Sequence, residues 1–397
     1  MKKRLLAVAL CCAINGTAYG ADLRINGFAS IVAGSTTDDN MSVFGYEDEI
    51  SFSNESMFAL QVSSDLGDGI SATAQIVARG HEDYDAEFEW AYISYDINEH
   101  LRLSAGKMRL PLFRYSDFIE VGYAYRWVRP PTSVYSFAST TPTGMSLLYT
   151  SQLGQWDSSL QFVYGRYEGK ANAITDSDDA TLNDITGFNW TMSKDWLTLR
   201  ASYVVAETSI SLNNSVPLVA LSGALQNYGL QEQLSQLVVD KDDGSFLGLG
   251  FAIDYNNFLF DGEYTEVEVD NSLLPEQSQY YVSAGYRLDD WTLHVTYEEN
   301  DDKHPNGRFN QVPTTITLAN GAVVPVSTDP SNPNAPLIRD LMNGALNATR
   351  VNTNTVTLGA RYDFHPSAAF KIDWSRLDND VTNQDNDVIA VAIDLVF

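Results

Sequence analysis

The stretch "NDVIAVAIDLVF", residues 386–397, ends the chain on an alternating pattern in which Ala390, Ala392 and Asp394 separate larger apolar side chains. The large apolar residues occupy every second position: Ile389, Val391, Ile393, Leu395 and Phe397. Because successive side chains of a β-strand point to opposite faces, all five lie on one face. The sequence therefore predicts a terminal β-strand with one wholly apolar face.

The same period of two recurs along the chain and predicts about sixteen strands. Clear examples are 291–299 ("WTLHVTYEE"), 356–364 ("VTLGARYDF") and 370–374 ("FKIDW"). A soluble sandwich shows this alternation with its apolar face inward, whereas a membrane barrel has its apolar face outward around a polar interior. Alternation alone leaves both architectures open.

The lengths of the connections favour the barrel. Short turns are predicted at 65–69, 97–100, 153–155, 194–195, 256–257, 288–290 and 365–367. Longer polar loops alternate with them at 35–48, 80–85, 108–142, 167–181, 211–243, 270–276, 300–348 and 379–386. Short turns on one rim and long loops on the other are typical of outer-membrane barrels. We therefore predict an all-β fold, a single transmembrane antiparallel barrel of about sixteen strands over residues 21–397.

The N-terminal residues 1–20 have the layout of a secretory signal peptide. Three basic residues precede an apolar run from Leu5 to Ile14, and small residues lead to a cleavage site after Gly20. Ten apolar residues are too few for a membrane-spanning helix. A lipoprotein signal at Cys11 or Cys12 is the less favoured alternative, because Leu10 is not a small residue. We expect export by the Sec route with removal of this segment.

Composition and motifs exclude several function classes. Removing the three basic residues of the signal changes the formal net charge from −28 to −31, so binding to nucleic acid is not expected. Both cysteines leave with the signal, which excludes a disulfide framework. The five histidines show no metal-binding spacing, no G-x-S-x-G occurs, and neither a metal nor a cofactor is expected. A barrel hydrolase, phospholipase-like, stays open because catalytic triads are set by geometry.

The signal, the alternation and the terminal Phe397 together resemble the porin family of Gram-negative bacteria. The stretch "RLPLFRYSDFIEVGYAYRWVRPP", residues 109–131, is similar to porin-like proteins of marine gammaproteobacteria. The resemblance implies homotrimers of sixteen-stranded barrels in the outer membrane, surrounded by lipid and lipopolysaccharide and passing small hydrophilic solutes. It also implies that the assembly machinery reads Phe397, and that the third long loop folds inward to narrow the pore.

The third long loop, 108–142, follows the fifth predicted strand and is the most basic part of the chain. Between Ser104 and Pro131, five basic residues stand against two acidic ones. The predicted constriction residues are Arg109, Arg114, Asp117, Glu120, Arg126 and Arg129. A narrow passage of low dielectric constant focuses the field of a few charges, so this surplus predicts a preference for small anions such as carboxylates or phosphates. The alternative, of equal weight, is that the arginines neutralise acids of the barrel interior such as Asp261, Glu263 and Asp373.

The barrel wall and two other loops complete the predicted site. If the apolar faces contact lipid, seven basic residues face the interior: Arg24, Arg79, Arg102, Arg200, Arg287, Arg361 and Lys371. Residues 216–240 and 336–349 carry apolar side chains at three-to-four spacing, which predicts short helices that cap the mouth or dip inside. A structural or adhesive barrel closed by its loops is therefore a third possibility.

Overall fold

The computed structural model describes residues 22–38, 42–135, 141–170, 179–211, 216–227, 229–304, 315–317, 321–325 and 338–397. The predicted signal peptide, 1–20, lies outside the described residues. No described helix is both long enough and apolar enough to cross a membrane.

Sixteen antiparallel strands form one closed barrel, in which each strand pairs with its neighbours in the chain and the first pairs with the last. In chain order the strands are β1 (Asp22–Thr36), β2 (Met57–Gly67), β3 (Ile70–Arg79), β4 (Ala86–Asn98), β5 (Leu101–Lys107), β6 (Thr143–Leu153), β7 (Trp156–Lys170), β8 (Asp179–Lys194), β9 (Leu197–Ser211), β10 (Val239–Tyr255), β11 (Phe258–Val269), β12 (Glu276–Leu288), β13 (Trp291–Lys303), β16 (Asn352–His365), β17 (Ala368–Asn379) and β18 (Gln384–Val396). A separate two-stranded hairpin, β14 (Thr315–Thr317) and β15 (Val323–Pro325), lies between β13 and β16. The predicted fold class is confirmed.

The faces of β18 follow the alternation read from the sequence. Ile389 and Ile393 are 46% and 41% exposed on the outer face, whereas Val388, Ala390 and Asp394 are buried on the inner face. Large apolar side chains are exposed in the same way on the other barrel strands, where lipid rather than water covers them.

The terminal residue closes the barrel seam. The amide of Phe397 donates to the Gly27 carbonyl at 2.9 Å, and the Gly27 amide donates to the Phe397 carbonyl at 2.7 Å. The Phe397 ring stacks on Phe58, with centroids 5.9 Å apart. A side chain on residue 27 would collide with the Phe397 ring, so glycine is required there. The terminal aromatic therefore extends the ladder between the first and last strands.

The two rims differ as predicted. On one rim most turns between strands are two residues long, and Asp68, Asp195, Asn256 and Asp289 adopt φ of 49–54°, as tight hairpin turns demand. The opposite rim carries the long loops. The third long loop has the predicted bounds, because β5 ends at Lys107 and β6 begins at Thr143. The first long loop is longer than predicted, because β1 ends at Thr36 and β2 begins only at Met57. The loops after β9 and β17 are shorter than predicted, because β10 begins at Val239 and β18 at Gln384.

The described helices lie in the long loops. They are α1 (Thr132–Tyr135), α2 (Val216–Asn227), α3 (Gln231–Ser235) and α4 (Ile338–Thr349), with single 3₁₀ turns at Gly80–Glu82, Ser116–Phe118 and Gly122–Ala124. Helices α2, α3 and α4 bury a shared apolar cluster that includes Leu221, Leu225, Leu230, Met342 and Ala345. Two loops far apart in sequence thus form one helical cap on the long-loop rim. The helices predicted in these loops are present.

Candidate functional site

The third loop, described at 108–135 and 141–142, lies inside the barrel. It forms ion pairs with Arg79 and Glu89 on β3 and β4, and with Asp261 on the opposing strand β11. It also forms hydrogen bonds with the inner faces of β9, β13, β16 and β17, and its Gly122 lies against Asp394 of β18. The loop therefore crosses the interior from wall to wall.

Local features keep the loop compact without strand pairing. Its prolines lack the amide that a strand would use. The Phe113 amide donates to Ser116 Oγ at 2.8 Å, and Arg109 Nη1 donates to the Ser116 carbonyl at 3.2 Å. The Tyr125 hydroxyl donates to the Ile119 carbonyl at 3.0 Å. The loop's own turns thus satisfy some of its polar groups, and the wall supplies partners for others.

Aromatic side chains form the centre of the loop. The Tyr115 ring centroid lies 5.8 Å from those of both Trp127 and Tyr135, and Trp127 Nε1 donates to Thr296 Oγ1 of β13 at 2.8 Å. Burial raises the pKa of Tyr115 to about 12, and the nearby Asp261 carboxylate adds to this effect. The aromatic centre packs on buried wall residues of β7–β11: Val163, Ile185, Val204, Phe246 and Val267.

A buried cluster of four alternating charges fastens the loop to β3 and β4. Arg79 contacts Glu89 at 2.5 Å and also Glu120 of the loop. Arg109 of the loop contacts Glu120 at 3.2 Å and also Glu89. Each guanidinium lies between two carboxylates, so the charges balance within the cluster.

A second charged group binds the loop to β11. Arg126 and Arg114 lie 2.5 Å and 3.4 Å from the two carboxylate oxygens of Asp261, and Tyr281 donates to Asp261 at 3.2 Å. The Arg114 amide donates to Glu263 at 2.6 Å. This side of the loop is also charge-compensated.

Lys371 on β17 has no exposed surface and links the loop to β18. Its ammonium donates to the carbonyls of Gly122 and Trp127 at 2.6 Å and 2.7 Å, and lies 2.8 Å from Asp394. Three acceptors surround the ammonium, as a buried cation requires. A side chain on Gly122 would collide with the Asp394 carboxylate, so the loop backbone lies directly against the wall here.

Two wall arginines hold the loop through backbone carbonyls. Arg361 donates to the Tyr123 and Tyr125 carbonyls at 2.7 Å and 2.8 Å. Arg200 donates to the Pro111 carbonyl at 2.7 Å. In these contacts the rigid guanidinium fork fixes the position of the loop backbone. Neither arginine forms an ion pair with a described carboxylate of the loop.

Arg129 binds a different loop. Its guanidinium pairs with Glu55 in the first long loop and lies over the Phe44 ring, 4.2 Å from the centroid. Glu55 also accepts from the Tyr46 hydroxyl at 2.7 Å. The first and third loops are therefore joined through one arginine.

The remaining predicted residues lie away from these contacts. Arg102 pairs with Asp96 at 2.5 Å and Arg287 with Asp254 at 2.7 Å, close to the short-turn rim. Arg24 is exposed near the same rim, and Asp117 is exposed on the loop; neither forms an ion pair with another described residue. Of the seven predicted wall residues, Arg79, Arg200, Arg361 and Lys371 reach the loop.

Sequence reasoning missed Glu89, the wall residue shared by Arg79 and Arg109. Its position follows from a β-bulge, because Gln75 pairs with Trp90 whereas Ile76 pairs with Phe88. The extra residue reverses the alternation of β4, so Glu89 faces inward although a regular period would place it with the lipid-facing residues. Glu55 and Asp394 were missed because ion partners distant in sequence leave no local signal.

One histidine of the barrel wall, His294, lies under the third loop. His294 on β13 lies 3.2 Å from Asp373, and its side chain has no exposed surface beneath the Trp127 ring. No described group of three or more His, Cys, Asp or Glu residues could hold a metal ion. Hydrolysis at His294 would require a substrate to displace the packed loop.

The family model for Gram-negative porins matches residues 7–394. Among solved structures, the DcaP channel of Acinetobacter baumannii aligns with a TM-score of 0.57 at 12% identity, covering 96% of this chain and 99% of that one. The anion-selective porin of Comamonas acidovorans aligns with a TM-score of 0.55 at 11% identity, covering 95% of this chain and 100% of that one. In-vitro folded OmpT of Vibrio cholerae, in its trimer form, aligns with a TM-score of 0.51 at 10% identity, covering 95% of this chain and 100% of that one. Among curated protein sequences, none matches this chain.

Proposed function

Because this chain belongs to the Gram-negative porin family, we propose that its outer-membrane barrel passes small hydrophilic solutes by passive diffusion through a passage narrowed by the third loop. The observation that carries this proposal is the attachment of the loop to opposing walls. Ion pairs to Glu89 on β4 and Asp261 on β11 hold it across the interior. Because the loop is fixed at both sides, the water-filled passage beside it keeps a constant width.

The charge of the passage follows from which arginines stay accessible. Arg109, Arg126 and Arg129 have side chains only 4%, 9% and 14% exposed and lie against carboxylates. Arg114 is 28% exposed and shares its acid, Asp261, with Arg126. Most of the basic surplus read from the sequence is therefore compensated. We propose that the predicted anion preference is modest and depends on Arg114.

Reversal potentials under a KCl gradient in planar bilayers test this charge assignment. A unit charge about 10 Å away in water attracts chloride and repels potassium by ~0.4 kcal/mol each, so we expect the permeability of chloride to exceed that of potassium by about fourfold. Replacing Arg114→Gln should remove this preference. Arg102→Gln, near the short-turn rim and already paired with Asp96, is the matched control and should leave the potential unchanged. A cation preference of the unmodified protein would contradict the proposal.

A closed barrel is the second candidate, since the loop touches strands around the whole interior and helices α2–α4 cap the long-loop rim. Single-channel recording separates the two functions. Discrete conductance steps support the channel, and a silent membrane with folded protein supports a structural or adhesive barrel. The same preparation, supplied with phospholipid or ester substrates, tests the hydrolase alternative, for which we expect no turnover.

The assembly proposals rest on family membership and on the barrel seam. We propose a homotrimer, as the Vibrio cholerae relative is described, with lipopolysaccharide around the long-loop rim. We also propose Sec-dependent export with cleavage after Gly20, and recognition of Phe397 by the assembly machinery. Cross-linking in isolated outer membranes would report the oligomer. N-terminal sequencing of the mature protein would test the cleavage site.

A further inference from the structure

The interior holds a cavity that the passage of hydrophilic solutes does not explain. It measures about 310 Å³ and lies between the third loop and the helical cap. Leu110 and Leu112 of the loop form its floor, and Leu274 and Val351 border it near the cap. An engineered cavity of ~150 Å³ lined by apolar side chains binds benzene, so this one has room for a larger apolar group.

The wall of the cavity is apolar on the inner face of the barrel. The side chains belong to β8–β11 and include Leu182, Ile185, Val204, Ala206 and Val267. These positions face a lumen in which polar residues are the rule for a porin-type barrel. Apolar lining costs free energy when it faces water, and an apolar ligand group would remove that cost.

Two acceptor oxygens on β13 also line the cavity. Asp302 is 1% exposed; its Oδ2 accepts from the Val351 amide at 2.8 Å, but its Oδ1 has no hydrogen-bond partner among the described residues. Asn300 Oδ1, two positions earlier on the same face, is also buried without a described partner. A buried acceptor left unpaired is costly; a ligand ammonium group could donate to both oxygens, and a ligand hydroxyl could donate to one of them.

The charges around the cavity favour a donor and disfavour an anion. Asp302 and Glu268 border it, and the lysine at its edge, Lys170, is already paired with Asp179 at 2.6 Å. A carboxylate ligand would be repelled by these acids, and the described arginine near Asp302, Arg350, already donates its Nε to Asn352 Oδ1 at 3.2 Å. An ammonium or hydroxyl head would meet acceptors.

We propose that this cavity binds small amphipathic amines and alcohols, with an aromatic or aliphatic body against β8–β11 and a donor head group at Asn300 and Asp302. The inference rests on the proposed channel only for the route by which the ligand arrives. The site itself is defined by the apolar wall and the two unpaired acceptors.

Three probes that share one body test the site: 2-phenylethylamine, 2-phenylethanol and 3-phenylpropionate. Calorimetric titration of the full chain in lipid nanodiscs should show the amine and the alcohol binding about tenfold or more tighter than the carboxylate. Asp302→Asn should reduce the affinity for the amine to that for the alcohol. Absence of binding by both donors to the unmodified protein would overturn the inference.

Filling the cavity separates this site from general contact with the barrel. Ala206→Phe places a ring inside it and should abolish binding, whereas Ala284→Phe, on the lipid-facing side of β12, should not. Unchanged binding in Ala206→Phe would also refute the site. Conductance measured on the same preparation tells the two proposals apart. An open channel without binding rejects the cavity alone, and binding without conductance rejects the channel alone.

Discussion

The third loop is held by different chemistry on two sides of the barrel. On the polar side, β3 and β4 hold it by ion pairs through Arg79 and Glu89. Lys371 of β17, which is paired with Asp394 of β18, donates to two of its backbone carbonyls. On the apolar side, β7–β11 hold it mainly by packing against buried side chains such as Val204 and Phe246, and Asp261 of β11 adds an ion pair with Arg126. Buried ion pairs fix position because few geometries satisfy them, and their net stabilisation is small after desolvation. Apolar packing stabilises in proportion to area and tolerates adjustment.

This difference explains where the interior is filled and where it is not. The polar side is closed by direct contacts, to the point that Gly122 has no room for a side chain. The cavity of about 310 Å³ opens between the loop and strands of the apolar side. The loop is therefore fitted closely to the wall on the polar side, while the apolar side leaves space for a ligand.

Removing the cation of the polar side should have the largest effect. Lys371→Met leaves Asp394 buried without its partner and leaves two loop carbonyls without a donor. Breaking a buried pair in this way costs about 3–5 kcal/mol. Urea unfolding in lipid vesicles measures the loss, and single-channel noise should rise as the loop is released.

The control for Lys371 is Lys303→Met, because Lys303 is exposed at the end of β13 and should leave unfolding unchanged. The double variant Lys371→Met with Asp394→Leu should recover part of the stability, since it removes both charges. If Lys371→Met unfolds at the urea concentration of the unmodified protein, the polar side does not depend on this ion pair.

Truncating the apolar side should cost less. Phe246→Ala removes a ring that packs edge-to-face on Phe113, with centroids 5.4 Å apart. Phe→Ala substitutions in cores cost about 3–5 kcal/mol, and we expect about 3 because the site already borders a cavity. In contrast to the polar side, the loss should not change between low and high salt. Phe260→Ala, on the lipid-facing side of β11, is the matched control; an equal loss there would mean that Phe246 does not anchor the loop.

The barrel and its loops were predictable from the sequence because their physical causes are local. The alternation around Ile393 indicates which face of the strand contacts lipid, and the lengths of the connections distinguish the short-turn rim from the long-loop rim. The bounds of the third loop followed from the same pattern. Its basic side chains could be counted, but their partners could not be identified, because Asp261 and Glu55 approach the loop only after the barrel closes.

Two features of the site contradict a regular period of two. The bulge in β4 turns Glu89 inward, and no residue type in "EFEWAY" marks where the extra residue falls. On β9, apolar side chains occupy both faces, with Val204 buried inside and Val205 exposed outside. Because the two faces of such a strand do not differ in polarity, the sequence does not indicate which face points into the lumen. The apolar side of the lumen was therefore not predicted.

The smallest expected effect on stability comes from Tyr115, which lies where the polar and apolar sides meet, and this effect depends on pH. Tyr115 contacts Trp127 and Tyr135, and lies near Asp261. Burial raises the pKa of its hydroxyl to about 12, above the value of 10.0 expected for the unfolded chain. Between pH 10 and 12 the unfolded state therefore binds fewer protons than the folded state, and the free energy of unfolding falls as pH rises. Below pH 10 the Tyr115 hydroxyl is protonated in both states, so it does not change the free energy of unfolding with pH.

The contribution of Tyr115 is isolated by comparing the unmodified protein with Tyr115→Phe from pH 9 to 12. Two pH units at ~1.4 kcal/mol each predict that the unmodified protein loses about 2–3 kcal/mol more than the variant. Other tyrosines titrate in both proteins, so the difference reports residue 115. Equal losses would mean that water reaches the hydroxyl. The apolar packing would then not extend to the charged groups at Asp261, and the two sides of the lumen would be separated by solvent instead of meeting at one aromatic ring.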